Sequence, residues 1–182
     1  MVALRRSDSF PTFVSVLAIE GRNMDRLKLV ALDGDDIEVV SAHLQDAVIK
    51  AADIHWRPAE RRVVVGLNRF DWEAANGNSP EFRRRLAALR FERVSACKCR
   101  NVDGAAKDQV LNLLAIAFEA NNPPSGVVTL TFSGGAALRL EVECLEAELA
   151  DLGPVWVTEC CPAHGGDENA VEIVSGAASK QG

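Results

Sequence analysis

The polar and apolar positions change period along the chain, and the first change marks a strand followed by a helix. Residues 27–32 are mostly apolar and predict a strand. Asp33 is a good N-cap for a helix, and Asp35 and Asp36 favour the positive end of the helix dipole. An apolar stripe at helical spacing follows, formed by Ile37, Val40, Leu44, Val48 and Ala51. We therefore predict one helix that carries this stripe.

The period then becomes two, which is typical of strands. Alternation and apolar runs predict strands at 54–57, 62–70, 89–100, 110–119, 127–132 and 137–142. Gly134 and Gly135 can supply the positive φ of a tight turn, so the last two strands form a hairpin. Leu145, Leu149 and Leu152 return to helical spacing, and Gly153 with Pro154 ends this second helix.

This order of elements predicts an α+β fold. Short turns between neighbouring strands favour an antiparallel β-meander of about six or seven strands, packed with two helices. The strands followed by a terminal helix also resemble a barrel-like or pleckstrin-homology-like sheet, as an analogy of architecture alone.

The patterned part of the chain predicts one domain at residues 24–158. Residues 1–23 lack the pattern, and Met24 stands directly before it, so we interpret 1–23 as an extension that is disordered or lies upstream of the natural start. Residues 159–182 are small and polar, and such a composition predicts a flexible tail.

Composition excludes several classes of protein. The chain has 48% hydrophobic and 25% charged residues, which are values of a folded globular domain. No apolar run approaches the ~20 residues of a membrane-spanning helix. Five cysteines, an odd number, without a convincing secretion signal favour reduced thiols and the cytoplasm. The net charge of -6 provides no overall attraction to nucleic acid.

The segment 68–73 holds the densest group of residues suited to recognition. Asn68, Arg69, Asp71 and Trp72 combine an amide, a guanidinium, a carboxylate and a flat indole. At the end of a strand such groups can bind a ligand or a partner protein. The alternative is that Phe70 and Trp72 pack in the core. Arg69 and Asp71 would then form a surface ion pair worth ~0–1 kcal/mol.

The first helix offers a second candidate surface beside its apolar stripe. His43 and Gln45 flank the stripe and Asp46 points away from it, so they could border a pocket or simply be solvated. The sequence favours a non-enzymatic module that binds an unidentified protein or small ligand through these residues and the 68–73 segment. The alternative is an enzyme whose site assembles from His43, His55 and Arg69, with catalytic residues otherwise unknown.

A third and weaker hypothesis is nucleic-acid binding through the basic segment 83–100. From Arg57 to Lys107 the chain has twelve basic residues against six acidic ones. Recognition of nucleic acid would need them on one face with stacking aromatic rings, and Phe82 and Phe91 are the only rings nearby. A solvated basic loop and strand is the simpler interpretation.

Neither a metal nor a cofactor is predicted. Cys97 and Cys99 are two residues apart on a strand, whereas zinc ligands usually come in pairs at turns. Cys160, Cys161 and His164 have suitable chemistry but belong to the predicted tail. No glycine-rich phosphate loop precedes a helix.

Six stretches together resemble one known family. They include 67–73, with the residues discussed above, and the others are 27–33, 41–48, 125–132, 140–144 and 151–154. These resemble the bacterial proteins grouped as domain of unknown function number 2948, over about residues 24–158. The resemblance implies a bacterial cytoplasmic protein with no agreed activity, and it brings no catalytic residues.

Overall fold

The computed structural model describes residues 2–3, 26–75, 81–103, 106, 108–159 and 162. The expectations for the extension 1–23 and for Met24 lie outside these residues, apart from residues 2–3. Those for Cys160, Cys161, His164 and the rest of the tail beyond residue 159 also lie outside them, apart from residue 162.

Strands dominate the described residues. They are β1 (Val2–Ala3), β2 (Lys28–Ala31), β3 (Val48–Lys50), β4 (Ile54–Arg57), β5 (Arg62–Phe70), β6 (Arg83–Phe91), β7 (Val94–Arg100), β8 (Val110–Asn122), β9 (Ser125–Phe132), β10 (Ala137–Val142) and β11 (Ala147–Val157). The helices are α1 (Gly34–His43) and α2 (Trp72–Ala75). Short 3₁₀ turns lie at Ala51–Asp53, Pro58–Glu60 and Ser133–Gly135.

All pairings between the strands are antiparallel, and the strand order is β1-β7-β10-β9-β8-β3-β5-β6-β11-β2, with β4 also on β5. The short strand β3 joins two halves of the sheet, because it pairs with β8 on one side and with β5 on the other. One half runs from β1 to β8 in this order, and the other half runs from β5 to β2. The described sheet is not closed into a barrel. The predicted α+β class with an antiparallel sheet is confirmed.

One hydrophobic core lies between the inner faces of the two halves. Leu89 and Phe91 of β6 belong to the same buried cluster as Leu138 and Leu140 of β10. Helix α1 contributes Ile37 and Val40 to this cluster, and it packs against β8 and β2. The chain crosses between halves after Phe91, where Arg93 adopts a φ of 53°. The single predicted strand at 89–100 is therefore two strands in different halves.

The predicted start of α1 is confirmed, but the helix is shorter than the predicted apolar stripe, which ran to Ala51. The Asp33 side chain accepts the Asp36 N–H at 2.9 Å, and the Asp36 carboxylate accepts the Leu32 N–H at 3.0 Å. The helix ends at His43 because the chain turns at Asp46, which has a φ of 59° and donates its N–H to Leu113 O. Val48 therefore lies in β3 rather than on the helix.

The predicted second helix at Leu145, Leu149 and Leu152 is wrong, since residues 147–157 form strand β11. Ala147, Leu149 and Asp151 are buried and alternate with more exposed neighbours, which is a period of two. Strands β2 and β6 pair with β11 from both sides, and this pairing outweighs the local preference. The hairpin of β9 and β10 is confirmed, with φ of 69° and 72° at Gly134 and Gly135.

Candidate functional site

The core-facing positions of β5, β6 and β11 change from apolar to charged at one end of the sheet. Along β5 the buried positions continue from Leu67 to Arg69, which is 1% exposed. Arg69 pairs across the strands with Arg85 of β6, which is 5% exposed. On β11 the last buried position is Asp151. On these three strands, alternating buried apolar residues thus lead into a buried group of opposite charges.

Arg69 and Asp151 form the centre of this group. Arg69 donates from Nε to Asp151 Oδ1 at 2.8 Å and from Nη2 to Oδ2 at 3.0 Å, a two-pronged ion pair. Asp151 Oδ2 also accepts the Leu27 N–H at 3.0 Å. Burial by itself would lower the pKa of Arg69, but the hydrogen bond and charge of Asp151, together with Glu73, raise it above its ordinary value. Arg69 therefore keeps its charge inside the protein.

Asp71 holds two further arginines. Its Oδ2 accepts from Arg83 Nε at 2.6 Å and from Arg85 Nε at 2.5 Å, and its Oδ1 accepts the Ala74 N–H. Burial would raise the pKa of Asp71, but its contacts with Glu73, Arg85, Arg83 and the Ala74 N–H outweigh burial and hold the pKa well below its usual range. Asp71 is thus an ionised, buried acceptor that fixes both arginine side chains.

We expect this depressed pKa to make stability depend on acid pH. A carboxyl whose folded pKa lies below its unfolded value of ~3.9 stabilises the fold above that value. This contribution, about 1–2 kcal/mol, is lost as the pH falls from about 5 through the folded pKa. In urea unfolding at pH 7, 5, 4 and 3, Asp71→Asn should lose less stability on acidification than the wild type. Equal losses would contradict the assignment.

Glu73 links this group to helix α1. Its Oε2 accepts from Arg69 Nη1 at 3.1 Å, and its Oε1 lies 2.8 Å from His43 Nδ1. His43 is the last residue of α1 and Glu73 lies in α2. The structure therefore joins two predicted residues, His43 and Arg69, through one carboxylate.

An open pocket of about 330 Å³ lies against the charged group. It is lined by Arg26, Leu27, Arg69, Asp71, Glu73, Ala74, Arg83 and Arg85. Arg26 is exposed, and its Nη2 would lie 3.0 Å from a Cβ added to Gly153, so its guanidinium extends over the β11 backbone. Among the described residues, no hydrogen bond or ion pair engages the Arg26 guanidinium. The pocket is therefore rimmed by one uncompensated cation.

The other predicted residues lie outside the pocket lining. The Asn68 and Asp46 carbonyls each accept from Arg84 Nη1, on the other face of the sheet. Trp72 packs against the edge of Phe70, with ring centroids 4.6 Å apart. Gln45 is exposed after α1. His55 pairs with Val64, five residues or ~17 Å along β5 from Arg69, so the structure does not bring it to the pocket.

The basic segment 83–100 does not present one face. Arg83 and Arg85 turn inward to Asp71, while Arg84 lies on the opposite side of β6. Other members pair with acids on both halves of the sheet, in the pairs Arg90–Glu148, Arg93–Glu146 and Lys98–Glu141. Their charges are divided between surfaces and locally offset.

The two cysteines of β7 are buried. Burial raises the pKa of the Cys97 thiol to about 12, with a further contribution from Cys99. Such thiols are not activated nucleophiles. In the part of the chain that the structure describes, no three side chains among His, Cys, Asp and Glu converge as metal ligands. No helix there is long and apolar enough to cross a membrane.

Sequence reasoning missed Asp151, Arg83 and Arg85 as members of the site. Asp151 was assigned to a helix and the arginines to a loop. The available signal was the period of two, because Phe91, Leu89, Ala87, Arg85 and Arg83 occupy one face of β6. A charged residue at the next core-facing position of several strands indicates a buried polar cluster.

Comparison with known protein families gives a match, which agrees with the resemblance seen in the sequence. The profile of the family described as "Protein of unknown function (DUF2948)" matches residues 27–164. The chain belongs to this family. The match includes every residue that lines the pocket except Arg26, which directly precedes it. The DUF2948 description assigns no activity. Comparisons with curated proteins and with solved structures give no match.

Proposed function

We propose that this DUF2948 protein is a binding module whose pocket takes an anionic group, such as a carboxylate or a phosphate. The observation that carries the proposal is the Arg26 guanidinium, which stands without an acidic partner among the described residues at the rim of an arginine-lined pocket. A guanidinium offers five donors that match the oxygens of these anions.

The charge balance around the pocket supports an anion. Four arginines line it, against the carboxylates of Asp71 and Glu73, and Asp151 lies behind Arg69. Glu81 approaches Arg83 at 3.4 Å, is 53% exposed and does not line the pocket. Arg26 has no acidic partner in the described part of the chain, so an anion bound beside it would neutralise a charge that these carboxylates leave uncompensated.

Three of the four arginines are held by carboxylates before any ligand binds. Asp151 fixes Arg69, and Asp71 fixes Arg83 and Arg85 through their Nε atoms. Ordered side chains lose little rotamer freedom on binding, so more of the interaction energy becomes affinity.

Binding is a better fit than catalysis for this pocket. Its lining residues in the described chain include no histidine, and His43 lies behind Glu73. A general base must reach the proton that it removes, within about 3 Å or through one water. Binding requires only the donors that line the pocket.

The proposal can be tested by calorimetric titration of the full chain with succinate and with inorganic phosphate at constant ionic strength. We expect at least one of these anions to bind, and Arg26→Gln to weaken it by about tenfold or more, because a hydrogen bond to a charged group contributes ~1.5–3 kcal/mol. Arg26 is exposed and has no hydrogen-bond or ion-pair partner among the described residues, so the variant should keep wild-type stability.

Arg139→Gln is the matched control, since Arg139 is also exposed but lies on β10, outside the pocket lining. It should leave both affinities unchanged. The proposal is overturned if neither anion binds at millimolar concentration, or if the Arg26 and Arg139 variants behave alike.

A further inference from the structure

We propose that the anionic group belongs to an extended segment of a partner protein, which pairs as a strand with the outer edge of β11 and places an acidic side chain in the pocket. This inference rests on the proposed function and specifies the ligand. It follows from an open strand edge, exposed apolar side chains and arginines that lie in register beside them.

The open edge of β11 begins beyond the first residue of β2, Lys28. Strand β2 pairs with Ala147–Ala150 of β11, and the last contact between them joins the Asp151 N–H to Leu27 O at 2.9 Å. Strand β11 continues to Val157, and its later residues pair only with β6 among the described strands. The side of β11 that β2 covers is therefore uncovered from residue 152 onward in the described structure.

The backbone groups on this edge can be assigned from the register. Thr158 donates its N–H to Phe82 O at 2.8 Å, so the backbone of residue 158 points toward β6. Successive residues of a strand alternate in direction, and Trp156 therefore also points toward β6. The N–H and C=O groups of Val155 and Val157 point outward, where an added strand could accept and donate hydrogen bonds.

The side chains along this edge are uncharged, and several are apolar and exposed, which suits pairing with another strand. Residues 152–158 contain no charge, although charged residues commonly protect exposed edges from pairing. Val155 is 42% exposed, Val157 is 69% exposed and Leu152 is 40% exposed. Pro154 lies in the irregular stretch between Asp151 and Val155, so it does not interrupt the regular pairing beyond it.

The arginines select an acidic partner. Val155 lies opposite Arg85 and Val157 opposite Arg83, so the exposed valines and these arginines share one face of the sheet. A strand added beside β11 would continue the line of β2 beyond Leu27 and Arg26, the two residues that precede β2 in the chain. An acidic side chain on that face would therefore meet the pocket that Arg26, Arg83 and Arg85 line.

The test uses synthetic peptides of about seven residues, the length of an ordinary strand, with alternating valine and threonine around one central glutamate. Three matched forms are titrated by fluorescence anisotropy into the full chain. They are the parent, a form with glutamine for glutamate, and a form N-methylated at alternate backbone nitrogens, which blocks strand pairing. We expect both changes to weaken binding at least tenfold, and Arg26→Gln to weaken the parent similarly.

Two measurements on the protein locate the contact. Val155→Pro removes one outward N–H without removing a hydrogen bond to β6, and it should weaken the parent peptide while succinate affinity is retained. Amide hydrogen exchange at Val155 and Val157 should slow when the peptide binds. If this variant does not fold, the N-methylated peptide and the exchange rates still decide the matter.

The outcomes separate this inference from the proposed function. If the glutamine form and the Arg26 variant weaken binding but N-methylation does not, the anion pocket stands and strand pairing is overturned. If the glutamine form binds like the parent, the anionic ligand itself is overturned. Slow exchange at Val155 and Val157 in the free protein would show that the edge is already covered, by this chain or by a second copy, and would also overturn the inference.

Discussion

Replacing Asp151 with asparagine is expected to lower the free energy of unfolding by about 3–5 kcal/mol. Within the described part of the chain, Asp151 is the only carboxylate that meets Arg69 in two-pronged geometry, and the side chains of both residues are at most 2% exposed. The amide would leave the Arg69 charge buried with one weak partner. Such an uncompensated charge costs more than the intact pair contributes.

Urea denaturation of wild type and variant measures this loss. Glu141→Gln is the control, because Glu141 forms a comparable ion pair with Lys98 in which both side chains are at least 40% exposed, and removing an exposed pair costs ~0–1 kcal/mol. The double variant Arg69→Met with Asp151→Leu should recover much of the loss, since apolar side chains would extend the neighbouring core. A loss below about 1 kcal/mol for Asp151→Asn would show that the pair is not a structural element.

Replacing Gly126 with alanine is expected to destabilise the fold by about 3 kcal/mol, at the upper end of the range for overpacking. Gly126 is buried on β9, and the ring of Phe118 from β8 occupies the space where a side chain would stand. An added Cβ would lie 2.4 Å from Phe118 Cε2 and 2.6 Å from the Glu119 carbonyl oxygen. The ring could move, but the carbonyl belongs to the backbone of a paired strand.

Thermal and urea unfolding would show this effect, and Gly34→Ala is a matched control. Gly34 is the first residue of α1 and a Cβ there would meet nothing within 4 Å, so alanine should be neutral or slightly stabilising. Adding Phe118→Ala to Gly126→Ala should restore little stability, because the carbonyl contact persists. Wild-type stability for Gly126→Ala alone would contradict the predicted clash.

The sequence predicted the elements whose signals are local. Asp33 caps α1 as expected, because an N-cap acts on the helix turn that follows it. Gly134 and Gly135 marked the β9–β10 turn, because their positive φ excludes most other residues. The helix predicted at 145–152 failed since its leucine spacing was a weak preference, and pairing with β2 and β6 on both sides outweighed it.

The same division applies to the candidate site. The 68–73 segment was identified from residue type, and it supplies Arg69, Asp71 and Glu73 to the charged group. Its partners were not identified, because Asp151 follows Arg69 by 82 residues and no local pattern links them. Arg26 was not considered, since its importance depends on where β2 begins beside β11.

By itself, then, the sequence determined the family, the α+β class, the N-cap of α1 and the turn between β9 and β10. The cap and this turn depend on neighbouring residues. The tertiary structure alone decided that β11 is a strand, that Asp151 meets Arg69, and that four arginines converge beside an open strand edge. The physical reason is burial: a charge inside the protein is stable only where its partner lies within hydrogen-bonding distance, and the fold determines which residues come that close.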